Sequence, residues 1–124
     1  MARVLVLNPS KMDFHVAKCE ELDDYYRELD CSVFDIARRK IGGKYFDIFC
    51  DDEGLFADDP IISAIDKNCS PMLVGNLVFA NHDDQGNTTS LMDEDIHLIC
   101  ENAFTYTMHT QENQKSGLAV ICEY

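Results

Sequence analysis

Basic residues are what this chain has least of. Its 124 residues hold 10 Lys and Arg against 23 Asp and Glu, a formal charge of −13. From residue 45 to 114 the only base is Lys67, beside fourteen acids, whereas residues 1–44 balance eight acids with eight bases. A field of that sign repels nucleic acid and steers basic surfaces toward the chain, so direct nucleic-acid binding is not expected. Long apolar runs are also missing, and nothing approaches the ~20 residues that span a bilayer. The opening run Arg3–Leu7 ends at Asn8-Pro9, too short for a signal-peptide core, and reads as a buried strand. The expectation is a soluble, cytoplasmic protein.

Chemical motifs are equally scarce. Six cysteines (Cys19, Cys31, Cys50, Cys69, Cys100, Cys122) occur without one Cys-x-x-Cys pair, which argues against a zinc knuckle or a redox dithiol and for reduced core thiols. No phosphate-cradling Gly-x-x-x-x-Gly-Lys, no Gly-x-Ser-x-Gly and no dinucleotide fingerprint is present. The four histidines are scattered. His97 and Cys100 stand at i and i+3, but Cys100 belongs to an apolar helical stripe, which favours a core thiol beside an exposed imidazole. Asp51-Asp52-Glu53-Gly54 lacks the alternating acids of a calcium loop. No catalytic residue, metal or cofactor is assigned.

The hydrophobic share of 46% suits one domain with one core. Arg3–Leu7 and Phe14–Cys19 read as an opening hairpin. Leu22, Tyr25, Tyr26 and Leu29 fall at i, i+3, i+4 and i+7, one helix face. Ser32–Ile36 and Tyr45–Cys50 read as strands, with a turn at Gly42-Gly43 and another at Asp51–Gly54. Pro60–Ile65 suggests a short helix or turn, and Met72–Ala80 a core strand with a bulge at Gly75-Asn76. After a polar loop at 81–87, Ser90 and Asp93 resemble a capping box. Met92, Ile96, Ile99, Cys100 and Ala103 then make a helical stripe. Phe104–His109 and Leu118–Cys122 form a final hairpin. The expected class is α+β: a mainly antiparallel sheet, two helices on one face, and a C-terminal β-hairpin.

What the chain does have is clustered carboxylates: Asp51, Asp52, Glu53, Asp58, Asp59, Asp83, Asp84, Asp93, Glu94 and Asp95. These are the candidate partner-binding residues, placed to meet a basic surface of a host protein in the way phosphates would. The plainer alternative is that acidic loops only keep the chain in solution. The one basic run, Arg38-Arg39-Lys40, reads first as a solvated edge or an internal partner for acids, and second as a contact for nucleic acid or an anion. A second functional class is an accessory module binding a protein through apolar residues of the last hairpin, with Tyr106, Met108 and Tyr124 as its surface. A third is a metal-dependent enzyme on the aspartate clusters. The oligomeric state is left open.

Several fragments, taken in order, resemble a known family. They are Arg3–Pro9, Ile41-Gly42-Gly43, Phe46-Asp47-Ile48 with Cys50–Gly54, Pro71–Val78, and Ser90–Ile96. The order is similar to the small bacterial and phage family called domain of unknown function 3846, over roughly residues 3–100. The chain departs from that pattern with extra residues around Asp30–Phe34 and a C-terminal extension of 104–124 beyond a family-like core of 1–103. The resemblance implies a life on phages and mobile elements and no established catalytic residues. By analogy with small acidic proteins of such elements, it implies an anti-defence role: inhibition of a host nuclease or defence complex, such as a CRISPR effector or restriction enzyme, by occupying its nucleic-acid-binding site.

Overall fold

Two glycines set the register of the central hairpin. In the computed structural model, which describes residues 2–52, 61–109 and 114–124, Gly42 and Gly43 take φ of +59° and +90°. Both central residues of a two-residue turn then lie at positive φ, the geometry whose twist matches paired strands. The turn joins β3 (Phe34–Ile41) to β4 (Lys44–Asp51), and every pair from Ile41↔Lys44 to Phe34↔Asp51 follows from it. Gly42 admits no side chain, because a Cβ there would lie 2.4 Å from Leu98 Cδ1.

Around this hairpin stands a first sheet in the order β2-β1-β7-β4-β3, formed also by β1 (Ala2–Asn8), β2 (Asp13–Cys19) and β7 (Leu77–His82), with the two-residue β8 (Thr88–Thr89) paired to β7. All of its pairings are antiparallel. A second sheet has the order β6-β5-β10-β9: β6 (Pro71–Val74), β5 (Ile62–Ile65), β10 (Gln114–Ile121) and β9 (Ala103–His109). Its β5–β10 pair is parallel, and β9 and β10 are the expected C-terminal hairpin. The α+β class and the dominance of antiparallel pairing stand as expected.

Side-chain alternation divides the core. Leu5, Leu7, Phe46, Ile48, Leu77 and Phe79 point from the first sheet toward the second, where Ala64, Val120 and Cys122 meet them. Ile99 of α2 (Asp93–Glu101) joins that layer. Val4, Val6, Phe49, Val78 and Ala80 point the other way, onto Tyr25 and Leu29 of α1 (Leu22–Leu29). Tyr25 stacks on Phe49 with ring centroids 4.3 Å apart. The helices, expected on one face, therefore take opposite faces, because β1 and β4 are apolar at consecutive positions and need cover on both sides.

Two further differences share one cause, the pull of the second sheet. Ile62–Ile65 is a strand, not a helix or turn: its branched residues pair with β6 and β10. Met72–Ala80 is two strands in different sheets, not one bulged strand. Gly75, at φ +77°, breaks it, and the Gly75 amide donates to the Ile61 carbonyl. Within the C-terminal extension Ala119, Val120 and Cys122 are fully buried. Among the described residues no helix is long and apolar enough to cross a membrane.

Candidate functional site

At the far end of the β3–β4 hairpin the Gly-Gly register sets Asp35 and Asp51 at neighbouring positions of adjacent strands. Asp35 lies opposite Cys50, and Phe34 opposite Asp51. The Asp52 amide donates to the Val33 carbonyl at 3.1 Å and so fixes the strand end. Across from it runs β6 of the second sheet. Between them lies a cleft of about 150 Å³, lined by Asp35, Asp51, Asp52 and Cys50 on one side and Met72, Leu73 and Val74 on the other. No base is among the described residues that line it. The Cys50 thiol is pushed up to about 11 by burial, then by the Asp35 charge, with Asp52 and Asp51 adding and Arg39 opposing. Burial, followed by the Asp51 charge, also raises Cys31.

Such a cleft suits a Lys or Arg side chain. The aliphatic stem would lie on Met72, Leu73 and Val74 and the cationic head among the carboxylates. Among the described residues Asp52 has no ion pair, whereas most bases are already engaged: Arg3 with Asp93, Arg27 with Asp24, Arg38 with Asp47, Lys40 and Lys67 with Glu123, and Lys44 with Asp95. The Arg38-Arg39-Lys40 run is thus largely internal, with Arg39 stacked 4.6 Å over the Tyr124 ring.

The remaining expected acids lie elsewhere. Asp47 falls opposite Ala80, four residues or about 14 Å back along β4 from Asp51; β7 runs on from there toward the 83–84 group, and Asp95 of the 93–95 group, bonded to Asn81, lies at that end of the sheet too. Asp83 is spent on its own loop, accepting from the Gln85 and Asn87 amides at 2.9 and 2.8 Å. These bonds, the Asn87 amide first, hold its carboxyl below the usual range. Asp84 and Glu94 are exposed. Asp93 is exposed but paired with Arg3 at 2.8 Å. Glu53, Asp58 and Asp59 lie outside the described residues.

Asp95, expected on the recognition surface, is 3% exposed and faces inward. It accepts from the Met92 amide at 2.8 Å, from Asn81 Nδ2 at 2.8 Å, and from Lys44 Nζ. Burial alone would raise its pKa; Lys44, the Met92 amide and Asn81 outweigh that and hold it low. It caps α2 in place of the expected Ser90–Asp93 pair, and Ser90 Oγ instead accepts from the Arg3 amide. Sequence reasoning missed Asp35, and also Asp47, a buried carboxylate held by Arg38 Nε at 2.9 Å with His82 Nδ1 3.5 Å from the same oxygen. Cys100, expected in the core, is exposed, and His97 pairs with Glu101.

A second concavity is almost wholly apolar. It measures about 220 Å³ and lies on the outer face of the second sheet, lined by Ile62, Ile65, Cys69, Phe104, Tyr106 and Met108. The Tyr106 ring crosses β10 above Gly117, and its hydroxyl donates to the Ile62 carbonyl at 2.6 Å. Tyr124 is not part of this surface. Among the described residues no group of three His, Cys, Asp or Glu is placed to hold a metal ion.

No curated protein and no solved structure matches the chain. A family model does, over residues 1–104, which take in the acidic cleft and all of the first sheet. The chain belongs to the family described as domain of unknown function DUF3846.

Proposed function

We propose that this chain is an acidic, non-catalytic binding protein of a phage or mobile element, acting in the cytoplasm. It inhibits a host nuclease or defence complex by occupying that complex's basic nucleic-acid-binding surface. The observation that carries the reading is the cleft of Asp35, Asp51 and Asp52 over an apolar wall, with no base among the described residues that line it. A Lys or Arg that meets phosphate in the target's groove meets these carboxylates instead. Of the expected recognition residues, Asp51 and Asp52 form the centre, with Glu53 next in sequence and Asp58 and Asp59 following after Gly54–Ala57. Asp84, Asp93 and Glu94 are a second, more distant group.

The test is capture of target from host lysate by the tagged chain, with wild type beside the double variant Asp51→Lys/Asp52→Lys. Screening shortens the reach of charge from about 10 Å at 0.1 M salt to about 3 Å at 1 M. A nuclease or defence protein held at low salt, released at high salt, displaced by added duplex DNA and lost with the variant is the expected result. Equal capture by the variant, or capture indifferent to salt and DNA, would overturn the proposal.

A further inference from the structure

The sheets leave strand edges open, and the chain treats them differently. An unpaired edge is a template for another strand, so edges are normally blunted by charge, proline or shortness. Edge strand β2 carries Asp13 and Lys18, and β3 carries Asp35, Arg38, Arg39 and Lys40. Strand β6 has four residues beginning at Pro71, and β8 has two. Strand β9 has none of these devices. It runs seven residues, Ala-Phe-Thr-Tyr-Thr-Met-His, without Asp, Glu, Lys, Arg or Pro. Among the described residues it pairs with β10 alone, and Thr105, Thr107, Met108 and His109 are exposed. Its Phe104, Tyr106 and Met108 share the face of the apolar concavity.

We infer that β9 is a self-association edge, taking β9 of a second copy as an antiparallel neighbour and joining two four-stranded sheets into one. Charge selects this occupant. From Ala103 to Ile121 the sequence holds one acid, Glu112, and one base, Lys115, in a chain of net charge −13. The hairpin is thus a place where two copies approach without strong repulsion, and it offers no carboxylate row to recruit a foreign basic strand. The strand also complements itself. A two-fold axis normal to the sheet keeps each face on its own side. Centred on Tyr106, it lays Phe104 against Met108 of the second copy and extends the apolar face across the junction.

One strand pair with its side chains buries on the order of 1,000 Å², the low end for specific association, so a weak, reversible dimer is expected. The experiment is sedimentation equilibrium of the full chain from about 5 to about 500 µM, at low and at high salt. Mass should rise from monomer toward dimer with concentration. It should rise more readily at high salt, because screening relieves the repulsion between acidic copies, the opposite sign to capture of a basic target. Met108→Lys, which sets an ammonium on the shared apolar face, should weaken association at least about tenfold. Because the substitution lowers the net negative charge, simple loss of repulsion would strengthen association instead. Thr107→Lys is the second variant should the first fail to fold. A monomer throughout the range, or association unchanged by both variants, would overturn the inference.

Discussion

Replacing Asp95 by Ala tests whether this carboxylate belongs to the fold or to a recognition surface. The side chain is 3% exposed and takes hydrogen bonds from three donors. Its loss leaves them unequally placed. Lys44, whose side chain is 47% exposed, can turn to water, so the full penalty of a stranded buried charge does not apply. The Met92 amide and Asn81 Nδ2 are less free, and an unsatisfied buried donor costs about 1–3 kcal/mol. Asn81 keeps its bond to the Ser90 carbonyl, which trims its share. The sum is about 2–4 kcal/mol, a large part of the 5–15 kcal/mol that holds a typical domain. Asp95→Asn keeps an acceptor oxygen and should cost about half as much. Urea unfolding of the three proteins, with similar slopes, reads these values directly. A loss below about 0.5 kcal/mol for Asp95→Ala would refute the reasoning and return Asp95 to the surface.

Other outcomes follow from the same geometry. Asp95 and Asp83 have carboxyls held low in the folded chain. The unfolded state therefore takes protons first, and their contribution is complete above the unfolded pKa and lost as pH falls through the folded one. Acid titration of stability should show a fall below about pH 4 that is shallower in Asp95→Asn. Gly117→Ala would put a Cβ 2.6 Å from the Tyr106 ring and its hydroxyl oxygen, breaking the bond to Ile62 at a cost of about 1–2 kcal/mol; changed near-ultraviolet dichroism with an intact far-ultraviolet spectrum would report it. Truncation after Ala103 removes the buried Val120 and Cys122 from between the sheets and should leave a chain without cooperative unfolding. Asp52→Lys, at the exposed residue that follows β4, should unfold within about 0.5 kcal/mol of wild type, as surface substitutions do.

Much of the first sheet was legible because its cues are local. Apolar runs marked β1, β4 and β7, and the i, i+3, i+4, i+7 spacing marked α1. Of the second sheet only the β9–β10 hairpin was legible; its joining to β5 was not, because β5 and β10 meet through a long-range parallel pair that leaves no local periodicity. Gly75 was visible as an irregularity, but whether it bulges a strand or sends the chain to another sheet depends on contacts far away. Asp95 could not be told from Asp93 and Glu94 by type. Its position three residues after Met92, where an inward-turned acid caps the helix, was the available cue. Asp35 was recoverable. A two-residue turn at Gly42-Gly43 pairs residue 35 with 50, beside Asp51, but its surroundings balance in charge and drew no attention to it.

The most direct test of the acidic cleft is an amide chemical-shift titration of the labelled chain with a short arginine-rich peptide, at about 0.05 M and about 0.5 M salt. Saturable shifts are expected at Asp35, Cys50, Asp51, Asp52 and Met72–Val74, and they should disappear at the higher salt. Shifts confined to Asp84, Asp93 and Glu94, or spread evenly over the acidic surface, would contradict that expectation.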